Sequence, residues 1–152
     1  VKTLVLVLSF FCVYTLNAQI KNYNLKNLDN ISVEVYPEQG LIDSETHQKI
    51  VTEIKLNLMS AGIKVLPPEE SSAKLIINVE VIPSKISEHR IFIRFNIYEN
   101  VSVDREKRIT TTAITYNDNL FFTDRDISQS VCDKVLDVMI IKFIEQYIAQ
   151  NK

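Results

Sequence analysis

The sequence predicts an α+β fold in the order β-α-β-β-β-β-α, with a mixed sheet and both helices packed on one face. Three observations lead there. Ile50, Val51, Ile54, Leu58 and Ala61 recur at three- and four-residue spacing, which puts them on one side of an amphipathic helix. Several runs around that helix alternate apolar and polar residues, the signature of half-buried strands. The chain then closes on a second helical stripe, Cys132, Val135, Leu136, Met139, Phe143 and Tyr147, widened by Ile140 and Ile144.

The first strand is Ile31 to Tyr36, where Ile31, Val33 and Val35 alternate with Ser32, Glu34 and Tyr36. Pro37 to Gly40 turns the chain, and Asp43 or Ser44 caps the helix by accepting from its free N–H groups. Gly62 supplies the left-handed position that releases the helix into Ile63-Lys64-Val65-Leu66, so the unit reads as a βαβ crossover. Pro67-Pro68 ends that strand. Leu75, Ile77, Val79 and Val81 then alternate with Lys74, Asn78 and Glu80 until Pro83-Ser84. Ile91, Ile93, Phe95 and Ile97 alternate with Phe92, Arg94, Asn96 and Tyr98, and the pattern continues through Val103. Asp104 to Lys107 is a charged turn, and Ile109 to Tyr116 is threonine-rich and β-prone. These three strands form an antiparallel meander. Thr123 and Asp126 form a capping-box-like start to the last helix.

Three segments are expected: a signal peptide over 1–18, a flexible lead-in over 19–30, and a single α+β domain over 31–152. Lys2, the apolar run Leu4 to Tyr14, and Asn17-Ala18 ahead of Gln19 have the order of a secretory leader cut after Ala18. The run is too short for a membrane span, which takes about 20 apolar residues. Cys12 lies inside the run, without the small residue that precedes a lipidated cysteine. The expected location is therefore the periplasm or the outside medium, with no membrane insertion after cleavage. Loss of Lys2 leaves one fewer than the 17 basic residues against 19 acidic ones. That balance lacks the cationic excess that nucleic acid or an anionic membrane surface requires. Cys132 then stands alone, without a disulfide partner.

Several chemistries are excluded or disfavoured. Gly40 and Gly62 are the only glycines, so no phosphate-cradling loop, dinucleotide fingerprint or nucleophile elbow can be written. His47 and His89 belong to no metal-ligand pattern and read as solvated residues near element ends. Cys132, on the apolar stripe, reads as a small buried hydrophobe. Glu69-Glu70, Asp104/Glu106 and Asp124/Asp126 fall in turns or at a helix start, where carboxylates are common without catalysis. No catalytic, cofactor-binding or metal residues are expected, and the chain reads as no enzyme.

With both helices on one face, the reverse face carries Ile76, Ile82, Phe92, Tyr98, Ile114 and Tyr116 among Lys74, Asn78, Glu80, Arg94 and Asn96. Ile76, Phe92, Arg94, Tyr98 and Tyr116 are the candidate partner-binding residues, with an open strand edge as the other place where a partner could dock. Such residues also populate strands simply because they fit a pleated surface, and apolar clusters of a few hundred Å² occur on ordinary monomers.

The run from Ile50 to Leu66, followed by Ala73-Lys74-Leu75-Ile76-Ile77-Asn78-Val79, resembles the small periplasmic α/β domain of TolB, the Tol-Pal translocation protein. It is also similar to domains of curli-secretion-type lipoproteins. In that group a helix ends in glycine, enters a short strand, and is followed by an alanine-led strand, further strands and a C-terminal helix. The resemblance implies a noncatalytic envelope module that binds other envelope proteins or itself. It implies no site residues. A second reading from the residues is a carrier or sensor of a small apolar ligand, held between the sheet and the last helix by Met139, Phe143 and Tyr147. A ligand-sized cavity there separates the two readings from each other.

Overall fold

A computed structural model describes residues 25–82, 88–103 and 109–152. The leader, Pro83-Ser84 and the charged turn at Asp104 to Lys107 lie outside the described residues. Alternation at Ile31 to Tyr36 becomes β1 (Asn30–Pro37), and the first stripe becomes α1 (Ser44–Ser60). Then follow β2 (Lys64–Val65), β3 (Ala73–Ile82), β4 (His89–Val103) and β5 (Ile109–Asp124). The C-terminal helix has three parts: α2 (Ile127–Asp133), a π-helical segment (Lys134–Ile140) and α3 (Ile141–Asn151). The wider i→i+5 turn of the middle part lets Val135, Met139 and Ile140 share the buried side.

The strands lie in the order β2-β1-β3-β4-β5. β1 runs parallel to both β2 and β3, while β3, β4 and β5 form the antiparallel meander. Asp43 is the helix cap, accepting from Thr46 N at 2.7 Å and Thr46 Oγ1 at 2.8 Å. At the other end of α1, Gly62 has φ +89°. Gly62 N donates to Met59 O and Ile63 N to Leu58 O, each at 3.0 Å, which closes a Schellman turn. Ile63 is buried beside Leu58, as that motif favours.

Both helices cover one sheet face. Leu75, Ile77 and Val79 of β3 stand opposite Ile97, Phe95 and Ile93 of β4, and all six are buried. Ile50, Ile54 and Leu58 of α1 and Val131, Val135, Met139 and Phe143 of the C-terminal helix belong to the same core. α1 also packs against α2 and the π-helical segment.

Three sequence expectations need correction. Tyr116, expected on the outward face, is 0% exposed in the core. Its ring sits 5.7 Å from Phe95 and 5.1 Å from Phe143, edge to face with both. The reason is a β-bulge: Ile97 pairs with Tyr116 but Tyr98 pairs with Ile114, leaving Thr115 as an extra residue. One inserted residue reverses the side-chain parity of everything beyond it. Ile114 therefore points outward, at 53% exposed, although it lies only two residues from Tyr116.

The described end of the lead-in, residues 25–30, is the second. Leu25 and Leu28 are buried, and Leu25 N donates to Gln150 Oε1 while Asn151 Nδ2 donates to Leu25 O, each at 2.9 Å. Two leucines in a polar stretch lack any periodicity, yet they fill the space at the end of α3. The third is the start of the last helix. Thr123 still belongs to β5, and Asp126 itself is the cap, accepting from Gln129 N at 3.1 Å. Asp124 Oδ1 turns the chain by accepting from Arg125 N at 2.6 Å and Asp126 N at 3.1 Å.

Two predictions follow from these placements. Tyr116→Ala is expected to cost about 3–5 kcal/mol in urea unfolding, whereas Ile114→Ala costs under about 1 kcal/mol. Equal costs at the two sites would contradict the bulge. The second concerns acid. Hydrogen bonds from Thr46 hold the Asp43 carboxyl below its ordinary value of 3.8, and those from Ser130, Asp126 and Arg125 do so for Asp124. A depressed folded-state value means stability that is present above the unfolded value and lost as pH falls through the folded one. The double variant Asp43→Asn, Asp124→Asn keeps acceptors without titrating, so its urea midpoint is expected to fall less steeply with acid below about pH 4.

Candidate functional site

The central part of the sheet face away from the helices carries four cross-strand rows. Glu80, Phe92 and Phe121 form the first, and Asn78, Arg94 and Asn119 the second. Ile76, Asn96 and Asn117 form the third, and Lys74, Tyr98 and Ile114 the fourth. Residues directly opposite on one face are in contact range, so each row acts as a unit.

The middle of the face is polar and tied together. Asn117 Nδ2 donates to Asn96 Oδ1 at 2.5 Å, and Asn119 Nδ2 donates to Asn117 Oδ1 at 3.1 Å. Asn96 Nδ2 reaches Tyr98 Oη at 3.4 Å, and Asn96 is only 6% exposed. Arg94 pairs with Glu80, and its guanidinium lies 5.8 Å from the centroid of the Phe92 ring. Arg94 Nε is buried and has no hydrogen-bond partner among the described residues. Phe92 and Phe121 give one end of these rows a pair of aromatic rings. Phe121, opposite Phe92, is 55% exposed. At the other end, Ser71, Ser72, Lys74, Ile76, Tyr98, Glu99, Asn100 and Thr112 line an open depression of about 340 Å³.

Of the five residues singled out from the sequence, Ile76, Phe92, Arg94 and Tyr98 share this face, and Tyr116 does not. Sequence reasoning missed Phe121, Asn117 and Asn119, because β5 was expected to end at Tyr116. Asn117-Asp118-Asn119 contains residue types depleted in strands. A usable signal was present in Leu120-Phe121-Phe122, an apolar run at hairpin distance from Ile91-Phe92-Ile93.

The remaining candidates take structural roles. His47 Nε2 donates to Val35 O at 3.0 Å, tying α1 to β1. His89 is exposed at the start of β4. Cys132 is buried, and that burial pushes its thiol up. Glu69 and Glu70 are exposed in a turn. Among the described residues, no group of three His, Cys, Asp or Glu side chains is placed to hold a metal ion.

No family model and no curated protein matches the chain. Solved structures with some similarity include a hypothetical protein from Chlamydia trachomatis, at 10% identity and a TM-score of 0.49 over 81% of this chain and 99% of that one. The PelC dodecamer of Paraburkholderia phytofirmans follows at 12% identity and 0.46, over 82% of this chain and 88% of that one. A lipoprotein from Neisseria meningitidis has 11% identity and 0.36, over 77% of this chain and 99% of that one.

The ion pair on the face is half-exposed, so it holds the face in shape more than it stabilises the fold. A double-mutant cycle with Arg94→Met and Glu80→Gln is expected to yield a coupling of at most about 1 kcal/mol, shrinking as salt is added. Urea unfolding at low and high ionic strength measures it.

Proposed function

We propose that this chain is an exported, noncatalytic accessory domain of a bacterial envelope that works by holding another protein, or a second copy of itself, against the uncovered sheet face. The observation that carries the reading is the Phe92–Phe121 row beside Arg94. Aromatic side chains and arginine are the residue types that dominate protein interfaces, because they bury large area or make several directed bonds. Arg94 is ion-paired with Glu80 and its guanidinium lies by the Phe92 ring, so the charge and the two rings sit together on this face. A partner docking there removes water from the two rings.

Export rests on the leader-like order of the first eighteen residues. No helix among the described residues is long and apolar enough to cross a membrane. The near-balanced charge argues against a nucleic-acid partner. The ligand-carrier reading needs room between the sheet and the last helix. At that place Met139 and Phe143 are buried, and the Phe143 ring packs 5.8 Å from Phe95 and 5.1 Å from Tyr116. Side chains fill the space the ligand would need, which favours the protein-binding reading.

In-cell crosslinking of the exported chain, comparing the parent with Phe92→Ser and Phe121→Ser, tests this. Phe121→Ser removes an exposed ring and is expected to shift the urea midpoint by no more than about 0.5 kcal/mol equivalent. Both variants are expected to lose the crosslinked species. An unchanged crosslinking pattern in both would overturn the choice of face.

A further inference from the structure

The sheet ends abruptly beside β1. β2 pairs only with Asn30 and Ile31, because Pro67 and Pro68 follow and neither can donate to a ladder. Lys64 N donates to Asp29 O at 3.1 Å and Leu66 N to Ile31 O at 3.0 Å. The odd-numbered residues of β1 therefore direct their backbone groups to this side. Val33 and Val35 continue that series with no strand beside them among the described residues. The far end of the gap is closed: His47 Nε2 occupies Val35 O, and Pro37 has no N–H. Among the described residues, the N–H and C=O of Val33 and the N–H of Val35 have no partner on this side.

Helix α1 overhangs this gap. His47, Val51, Lys55 and Met59 recur at four-residue spacing and form one row along the helix. Lys55 and Met59, with Val33, Val65, Leu66 and the two prolines, line an open groove of about 450 Å³. A second groove of about 370 Å³ adjoins it and shares Met59, Val65 and Leu66. Met59 is 59% exposed there. Lys55 makes no ion pair among the described residues.

We propose that this gap takes a short extended segment of another protein, an apolar one with an acidic flank. Its backbone pairs with Val33, an apolar side chain packs on Met59 and Leu66, and a carboxylate meets Lys55. An N–H and a C=O pointing together out of a strand are matched by another extended backbone, whereas an apolar small molecule would leave both unmet. Lys55, with Lys64 lining the adjoining groove, selects an acidic segment over a basic one. The site lies on the helix side of the sheet edge and shares no residue with the Phe92–Phe121 face. It goes beyond the function proposed above, and either reading can fail alone.

The test titrates the isotope-labelled full chain with a blocked pentapeptide of three valines flanked by glutamates. A lysine-flanked counterpart and an analogue N-methylated at the central amide serve as comparisons. The glutamate peptide is expected to shift the Val33, Val35, Met59 and Leu66 signals, and N-methylation to weaken it. Lys55→Gln should weaken binding about fivefold, and Lys55→Glu should reverse the preference toward the lysine peptide. Phe92→Ser should leave binding unchanged. The proposal is overturned by silence of those signals at millimolar peptide, or by shifts centred on Phe92 and Phe121. It is also overturned if the Val33 amide moves with protein concentration alone, since a second copy would then be the occupant.

Discussion

One constraint governs the molecule: two apolar helix stripes and one inward sheet face must be buried against each other. β3 and β4 present Leu75, Ile77, Val79, Ile91, Ile93, Phe95 and Ile97 on the same side, all buried. α1 joins the parallel strands β1 and β2, and the right-handed preference of such crossovers sets the side on which it lies. The C-terminal helix lies beside it, and the rings of Phe95, Tyr116 and Phe143 interlock at the junction of helix and sheet. Fully burying each large apolar side chain contributes roughly 1.5–3 kcal/mol, well above the few tenths that separate most residues in helix propensity. Packing therefore fixes the placement of both helices, and the reverse face is uncovered as a consequence.

Much of this was legible from periodicity. The spacing of Ile50, Ile54 and Leu58 and the alternation from Leu75 to Val79 and from Ile91 to Ile97 report local geometry directly. Gly62 and Pro67-Pro68 mark ends that only those residue types produce. The order β-α-β-β-β-β-α and the helices on one face followed from these signals. What escaped depends on contacts distant in sequence. Leu25 and Leu28 show no period, and they are buried only because α3 ends beside them. Thr115 resembles its threonine neighbours, yet it is the residue left out of the pairing with β4. Parity arguments are reliable within an uninterrupted strand and fail beyond a bulge, which is why alternation puts Tyr116 on the wrong face.

The two ends of the sheet handle exposed backbone differently. On the β1 side, His47 and Pro37 remove an acceptor and a donor from the edge, leaving a gap bounded in length. On the far side, β5 spans Ile109–Asp124 without proline, glycine or lysine, and its distortion is the bulge at Thr115. A bulge twists an edge away from flat pairing, which is one of the ways native sheets discourage open-ended association. Asp118, on the inward side beyond the bulge, is held by Lys142 of α3 at 2.9 Å, so this part of β5 is pinned to the helix layer. The bulge thus links core packing, the protection of an edge and the composition of the outward face.

Strand preference alone does not account for the uncovered face. It would explain isolated Phe, Tyr and Ile residues scattered over a pleated surface. It does not explain the amide chain from Asn96 through Asn117 to Asn119. Asn is disfavoured in strands, and three such residues side by side in neighbouring strands replace better sheet formers. Their mutual hydrogen bonds offset part of that cost and hold the face at a fixed shape. On the function proposed above, holding Arg94, Phe92 and Phe121 in one arrangement beforehand would reduce the entropy lost when a partner docks.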